Sequence, residues 1–239
     1  MFKSLICSIC ILVSITNLMA QEVDVTFDYE VTYVVPNAKK NTTDTLKIQL
    51  DKQGHYLFME SPSMGLNLAR GVFPNPNMDL SNAECSFLLD TQRMLIYFNF
   101  RLDDTVMFLQ MDVEPFIPTD RSPIGDSSAA FNLISEKRSE KIQVGDASYN
   151  AYMLFPETEP DEPITMVIDE QRPVDNIAII HKAFTLMMEK TQSTTQFNLD
   201  VPNGLIMAIG LKDEMLIRAI EAKDVTTKIN IQHSFNIKE

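Results

Sequence analysis

Between residues 23 and 35 every second position is apolar: Val23, Val25, Phe27, Tyr29, Val31, Tyr33 and Val35. Asp24, Thr26, Asp28, Glu30 and Thr32 lie between them. A period of two places all seven apolar side chains on one side of an extended backbone and the polar set on the other. A helix would scatter the same residues around its axis. The segment is therefore a long strand with one buried and one wet face.

The same signal recurs along the chain. Pro36, Asn37 and Lys39-Lys40-Asn41 turn it into a strand carrying Leu46, Ile48 and Leu50, and Gly54 turns that into Tyr56 to Glu60. Cys85 to Leu89 and Met94 to Phe100 predict a hairpin around Asp90-Thr91-Gln92, extended by Thr105 to Val113. Ser135 to Val144 returns through Gly145-Asp146 into Tyr149 to Phe155, and Ile164 to Ile168 follows. Gly204 to Leu211 and Glu214 to Ala222 predict a further pair around Lys212-Asp213. A separate last strand alternates through Val225, Thr227, Ile229, Ile231, His233, Phe235 and Ile237. Adjacent antiparallel strands joined by short turns make a meander, and a long meander curls as it twists.

One segment breaks this pattern. Asp175-Asn176 forms a capping pair for a helix over about 175–192, with Ile177, Ile180, Phe184, Met187 and Met188 at helical spacing. A weaker helical signal falls on Met64 to Leu68 and Met78 to Leu80. Long proline-bearing loops run from Pro62 to Pro76 and from Pro115 to Ser128, and Pro156 to Pro163 is short and acidic. Loops of this length over a scaffold are where function tends to sit.

The start of the chain sets its destination. Lys3, the apolar run from Leu5 to Ile15 and Ala20 before Gln21-Glu22 have the anatomy of a secretory signal peptide over 1–20. The run is shorter than the about 20 apolar residues of a membrane span, and no integral membrane span is expected once the leader is removed. Residues 21–239 then read as a single β-rich domain, periplasmic or secreted. One cysteine, Cys85, follows the leader, so no internal disulfide forms; it reads as a small buried apolar side chain. The net charge of −13 disfavours nucleic acid and anionic headgroups as general partners.

Most standard chemistries lack their residues. Seven glycines supply no phosphate cradle or dinucleotide turn, and no G-x-S-x-G or H-E-x-x-H sequence is present. His55, His181 and His233 are far apart, and His233 falls on the apolar face of the last strand. The acidic loop with Glu157, Glu159, Asp161 and Glu162 lacks the spacing and glycine of a calcium-hand loop. No cofactor, metal or catalytic residue is assigned. Several methionines sit on strands, and Met107 and Met111 point the same way. They fit a filled core or a pliable apolar cavity better than copper capture.

Val174-Asp175-Asn176 through Phe184, then Val201-Pro202-Asn203-Gly204-Leu205-Ile206-Met207, then a closing strand ending at Phe235, resembles uncharacterised exported Bacteroidota families of unknown function, related to the GLPGLI family. The hairpin at Gly145 leading to Tyr149 and Tyr152 fits the same layout. Ser148 and Tyr149 stand where members often carry a Cys, and the Trp common in them is missing. Such families are similar in layout to periplasmic lipoprotein carriers. That similarity implies a curved, incomplete β-barrel closed by helices, and it implies no catalytic residues.

The expectation is mainly β (α+β): a curved antiparallel sheet or incomplete barrel, with one helix covering its concave face. The function expected is exported, non-enzymatic binding or carriage of an apolar or acylated ligand, held by Ile177, Ile180, Phe184 and Met188 between helix and sheet. The partners that fit are a lipid or lipoprotein, or an envelope protein. Two alternatives stand beside it: an envelope adaptor using loops near Pro74 and Pro118, and a hydrolase assembled from scattered loops.

Overall fold

The alternation that opens the chain is realised as strand β1, Val23–Asn37. The computed structural model describes residues 23–37, 42–60, 70, 79–80, 82–113, 131–158, 160–161, 163–190, 197–211 and 214–231. The expected leader, the helical signal at Met64 to Leu68, nearly all of both long proline-bearing loops, and His233 lie outside these residues.

After β1 come β2 (Thr42–Leu50), β3 (Tyr56–Glu60), β4 (Glu84–Asp90), β5 (Leu95–Leu102) and β6 (Thr105–Asp112). Each pairs antiparallel with the one before, as a meander requires. The second half contains β7 (Phe131–Lys137), β8 (Ile142–Val144), β9 (Ala147–Pro156) and β10 (Ile164–Asp169). Helix α1 (Asn176–Lys190), β11 (Phe197–Leu199), β12 (Leu205–Leu211) and β13 (Glu214–Ile231) complete it. The sheet runs β11-β7-β9-β10-β12-β13-β1-β2-β3-β4-β5-β6, with β8 paired to β9. The architecture is mainly β: one large, curved, open sheet and one helix among the described residues.

Two features depart from a simple meander. β11 pairs with β7 in parallel, as Phe197↔Phe131 and Leu199↔Leu133. And the two strands expected over 214–222 and 225–237 are one continuous strand as far as it is described, β13, ending at Ile231; the rest of the second lies outside the described residues. Their alternations are out of phase, because Ala219 faces inward, as do Ala222 and Val225, at uneven spacing. β-Bulges reconcile them: the pairing shifts between Phe27 and Tyr29 and between Thr32 and Tyr33 against β1, and between Ile209 and Gly210 against β12. An extra residue at a bulge flips the side-chain phase without ending the strand, and it sharpens the local twist.

The register exposes one unbroken apolar surface. From Val31 the pairing passes through Ile48, Met59, Phe87 and Phe98 to Leu109. From Tyr29 it passes through Leu50, Leu57, Leu89 and Ile96 to Met111. Directly paired residues point to the same side, so six strands share one greasy front. On the other side of β1, Tyr33 pairs with Ala219, Ile217 with Ile209, and Ile209 with Met166. The bulges change which residues face it further on: Val167, Ala208 and Ala151 share the core of Tyr29, Val31, Tyr33 and Ala219, whereas Met166 packs with Leu154 and Ile168 in a separate core.

The sheet rolls strongly. Val25 and Phe27 lie on the front of β1, yet they pack with Leu88, Tyr97, Phe58 and Phe108, which belong to the back of the β3–β6 wing. The rings of Phe27 and Phe58 are 5.9 Å apart. The wing thus curls in front of the lower half of β1. Its own front, with Cys85, Phe98, Phe100 and Leu102, packs with Leu80 and Ala83 as a separate core. Strands apolar on both faces bury both, which explains why β4 and β5 read as nearly continuous apolar runs.

Candidate functional site

Helix α1 lies, through Ile180, on the face of β9, β10 and β12 that carries Leu154, Met166, Ile168 and Ile206. The helix begins at a cap the sequence encodes: the Asp175 carboxylate accepts the backbone N–H of Ala178 at 3.1 Å. Asn176 is buried, and its side-chain amide donates to the carbonyls of Pro202 (2.9 Å) and Gly204 (2.8 Å). The backbone N–H of Asp175 donates to the carbonyl of Lys52 at 3.0 Å. These bonds fix the start of the helix between the β2–β3 turn and the entry to β12. At that turn Gly54 has φ +67, and an added Cβ would lie 2.5 Å from the carbonyl oxygen of Asp175. Only glycine allows the helix to approach so closely.

Of the four side chains expected to line a site, Ile180 packs against the cluster of Leu154, Met166, Ile168, Leu199 and Val201. Ile177, one turn earlier, is 37% exposed. Phe184 and Met188 lie on α1, but their side chains fall outside the described residues.

Beside the helix this face is incompletely covered. Leu154 pairs with Ile164, Ile164 with Leu211, and Leu211 with Glu214. Leu154 is buried, but Ile164 is 41% and Leu211 39% exposed. Leu216, the residue accommodated by the bulge against β12, is 43% exposed. Three branched aliphatic side chains thus form a shelf on adjacent strands, next to a helix already seated on the same face. The sequence marked each as part of a strand but gave no sign that the three would adjoin. At the far wing, Phe87, Met107, Leu109 and Met111 are only partly buried around the second core. Met107 and Met111 share that face, as their spacing requires.

Polar groups gather elsewhere. On the back, Glu30 accepts Lys223 Nζ at 2.7 Å, Lys47 Nζ at 3.1 Å and the Gln49 amide at 2.8 Å. Burial would raise the Glu30 pKa, but these donors outweigh it and hold the carboxyl down at about 2. At the end of β10, Glu170 accepts hydrogen bonds from the Tyr152 hydroxyl and from Lys137 Nζ, the latter at 3.0 Å; the tyrosine foremost holds its carboxyl at about 2. Arg172 bridges Asp169 (2.7 Å) and Asp224 (3.0 Å), tying the turn after β10 to the bulge of β13. Burial pushes the Cys85 thiol up to about 11, which keeps it protonated and unreactive at neutral pH.

His55 does meet a hydroxyl residue, Thr91. However, the Thr91 hydroxyl donates to the backbone carbonyls of Gly54 (2.7 Å) and His55 (3.1 Å), and so joins two turns rather than arming a nucleophile. Among the described residues no group of three or more His, Cys, Asp or Glu side chains is placed to hold a metal ion. No helix among the described residues is long and apolar enough to cross a membrane.

No protein-family model matches the chain, and comparison with the curated proteins finds no match. What can be said of its role comes from the shelf and the face it belongs to.

Proposed function

We propose that the protein is an exported, non-enzymatic binding or carrier protein for an apolar or acylated ligand, taken up on the face of β10, β12 and β13 beside α1. The observation that carries this is the shelf of Ile164, Leu211 and Leu216, each about two-fifths exposed on adjacent strands. An alkyl chain laid along it is withdrawn from water on one side at about 0.8 kcal/mol for each methylene fully buried. On a one-sided shelf each methylene gains only part of this, so a long alkyl chain is needed to offset the cost of association.

The test is native mass spectrometry of the protein purified from its own envelope, paired with a neutral alkyl maltoside titrated below micelle formation. A co-purifying amphiphile, and maltoside binding weakened by Leu216→Asp with the fold intact, support the reading. A ligand-free protein that ignores the maltoside ends it.

A further inference from the structure

We infer that the β2–β3 turn, residues 51–55, is a relay that makes the seat of α1 and the roll of the wing one conformational event. The turn runs directly into β3 and meets the helix, the wing and β1 at once. Toward the helix, the carbonyl of Lys52 accepts the backbone N–H of Asp175 at 3.0 Å. Gly54 leaves room for that same residue: an added Cβ would lie 2.5 Å from the Asp175 carbonyl oxygen and 3.2 Å from Ile179 Cγ1. Toward the wing, Thr91 in the β4–β5 turn donates its N–H to the carbonyl of His55 at 2.9 Å. The Thr91 hydroxyl donates to the carbonyls of Gly54 (2.7 Å) and His55 (3.1 Å). Toward β1, the Lys52 N–H donates to the Asp28 carboxylate at 2.9 Å, and the Lys52 ammonium lies 3.3 Å from it.

The turn is braced from within. Asp51 is buried, its carboxylate accepts the Tyr56 N–H at 2.7 Å, and its carbonyl accepts the Gly54 N–H at 3.1 Å. Thr91 is buried as well. Hydrogen bonds in such places are costly to leave unmade. A shift of the helix start therefore passes through the turn to Thr91 instead of being absorbed in a slack loop. Asp28 anchors the turn where the pairing of β1 shifts, between Phe27 and Tyr29. Phe27 packs with the wing, and Tyr29 with Leu205 and Met207 of the other half. An occupant that moves α1 is thus felt in the wing, and by linkage a movement of the wing is felt at α1.

The experiment is native-state hydrogen exchange of the intact protein, read at single amides by nuclear magnetic resonance. Thr91→Val removes the hydroxyl on the wing side. It should speed exchange in the first two turns of α1 by about fivefold or more, the lower end of coupling between sites. Asp175→Ala removes the helix cap and should speed exchange of the Thr91 amide by a similar factor, because coupling is reciprocal. Ala151, fully buried in β9, is the reference and should not change. Thr91→Ser, which keeps a hydroxyl, should leave the α1 rates close to those of the unaltered protein. Asp51→Asn, which keeps an acceptor for the Tyr56 N–H, should be milder than Asp51→Ala at both α1 and Thr91.

Acceleration confined to the altered side overturns the relay. Equal acceleration at Ala151 also overturns it, because the loss would then belong to the whole fold. Should Thr91→Val or Asp51→Ala fail to fold, the Thr91 amide in Asp175→Ala decides.

Discussion

The side-chain amide of Asn176, in the first turn of α1, donates to the carbonyl of Gly204, 28 residues further on, at 2.8 Å. Its second hydrogen goes to Pro202. One buried amide thereby joins the two segments, Val174-Asp175-Asn176 and Val201 to Met207, that stand out in the sequence. Asn176→Ala leaves two carbonyls unpaired in a buried place, and the expected loss is about 2–4 kcal/mol. Urea unfolding checks it; a loss below about 0.5 kcal/mol would mean that water replaces the amide freely.

The glycines divide sharply. At Gly204 φ is +133 and a Cβ would sit 2.5 Å from Ile168 Cγ2 and 2.8 Å from the carbonyl oxygen of Asp169. Gly204→Ala should cost about 2–4 kcal/mol through strain and displaced packing. Gly145 also has a positive φ, +60, but nothing lies within 4 Å of its added Cβ. Gly145→Asn, a residue that tolerates this region, should shift stability by less than about 1 kcal/mol. Thermal melts of the two variants side by side distinguish crowding from backbone strain.

Glu30 makes stability depend on acid. Its folded pKa of about 2 lies below the ordinary 4.5, so it binds protons less readily when folded. The stabilisation is fully present above pH 4.5 and is lost as pH falls from there through 2. Because both lysines are half-exposed, the contribution is expected at about 1–3 kcal/mol. Glu30→Gln should be less stable than the unaltered protein at pH 7 and should match it near pH 2. Equal stability at pH 7 would show that desolvation cancels the ion pairs.

The bulge at Ile220 offers a test of phase. Replacing this exposed side chain, as in Ile220→Thr, should change stability by no more than about 0.5 kcal/mol. Deleting Ile220 removes the extra residue and turns Glu214 to Ala219 over relative to β1, so Ala219 would face out and Arg218 in. The deletion should destabilise the protein by more than about 3 kcal/mol or prevent folding. A well-folded deletion variant would show that β13 can slip its register.

Phe27 joins the lower half of β1 to the back of the wing and is wholly buried. Phe27→Ala should cost about 3–5 kcal/mol. Hydrogen exchange should show the β3–β6 wing loosening before the β9–β12 half does. Uniform loosening would mean that the roll is fastened elsewhere.

Local alternation was sufficient to identify most strands. Val23 to Val35 and Leu46 to Leu50 announce which side chains share a face, because period two is written into the backbone, whereas Cys85 to Leu89, Met94 to Phe100 and Tyr149 to Phe155 announce a strand without naming its faces. The helix was equally plain: the expected 175–192 is observed as Asn176–Lys190, started by Asp175. Of the candidate site, Ile180 was found by its spacing. Ile164, Leu211 and Leu216 were not, since nothing in three separate strands says that they adjoin.

Periodicity in the sequence therefore determined the mainly β character, the helix and the inward side of strands that alternate without a bulge, such as β1. The tertiary structure alone decided that the last strand borders the first, that two out-of-phase stretches make one bulged strand, and that the wing curls in front of β1. The reason is that backbone donors and acceptors are the same in every strand, so alternation cannot choose a partner. That choice falls to distant side chains such as Phe27 against Phe58, whose burial rewards one roll of the sheet over the others.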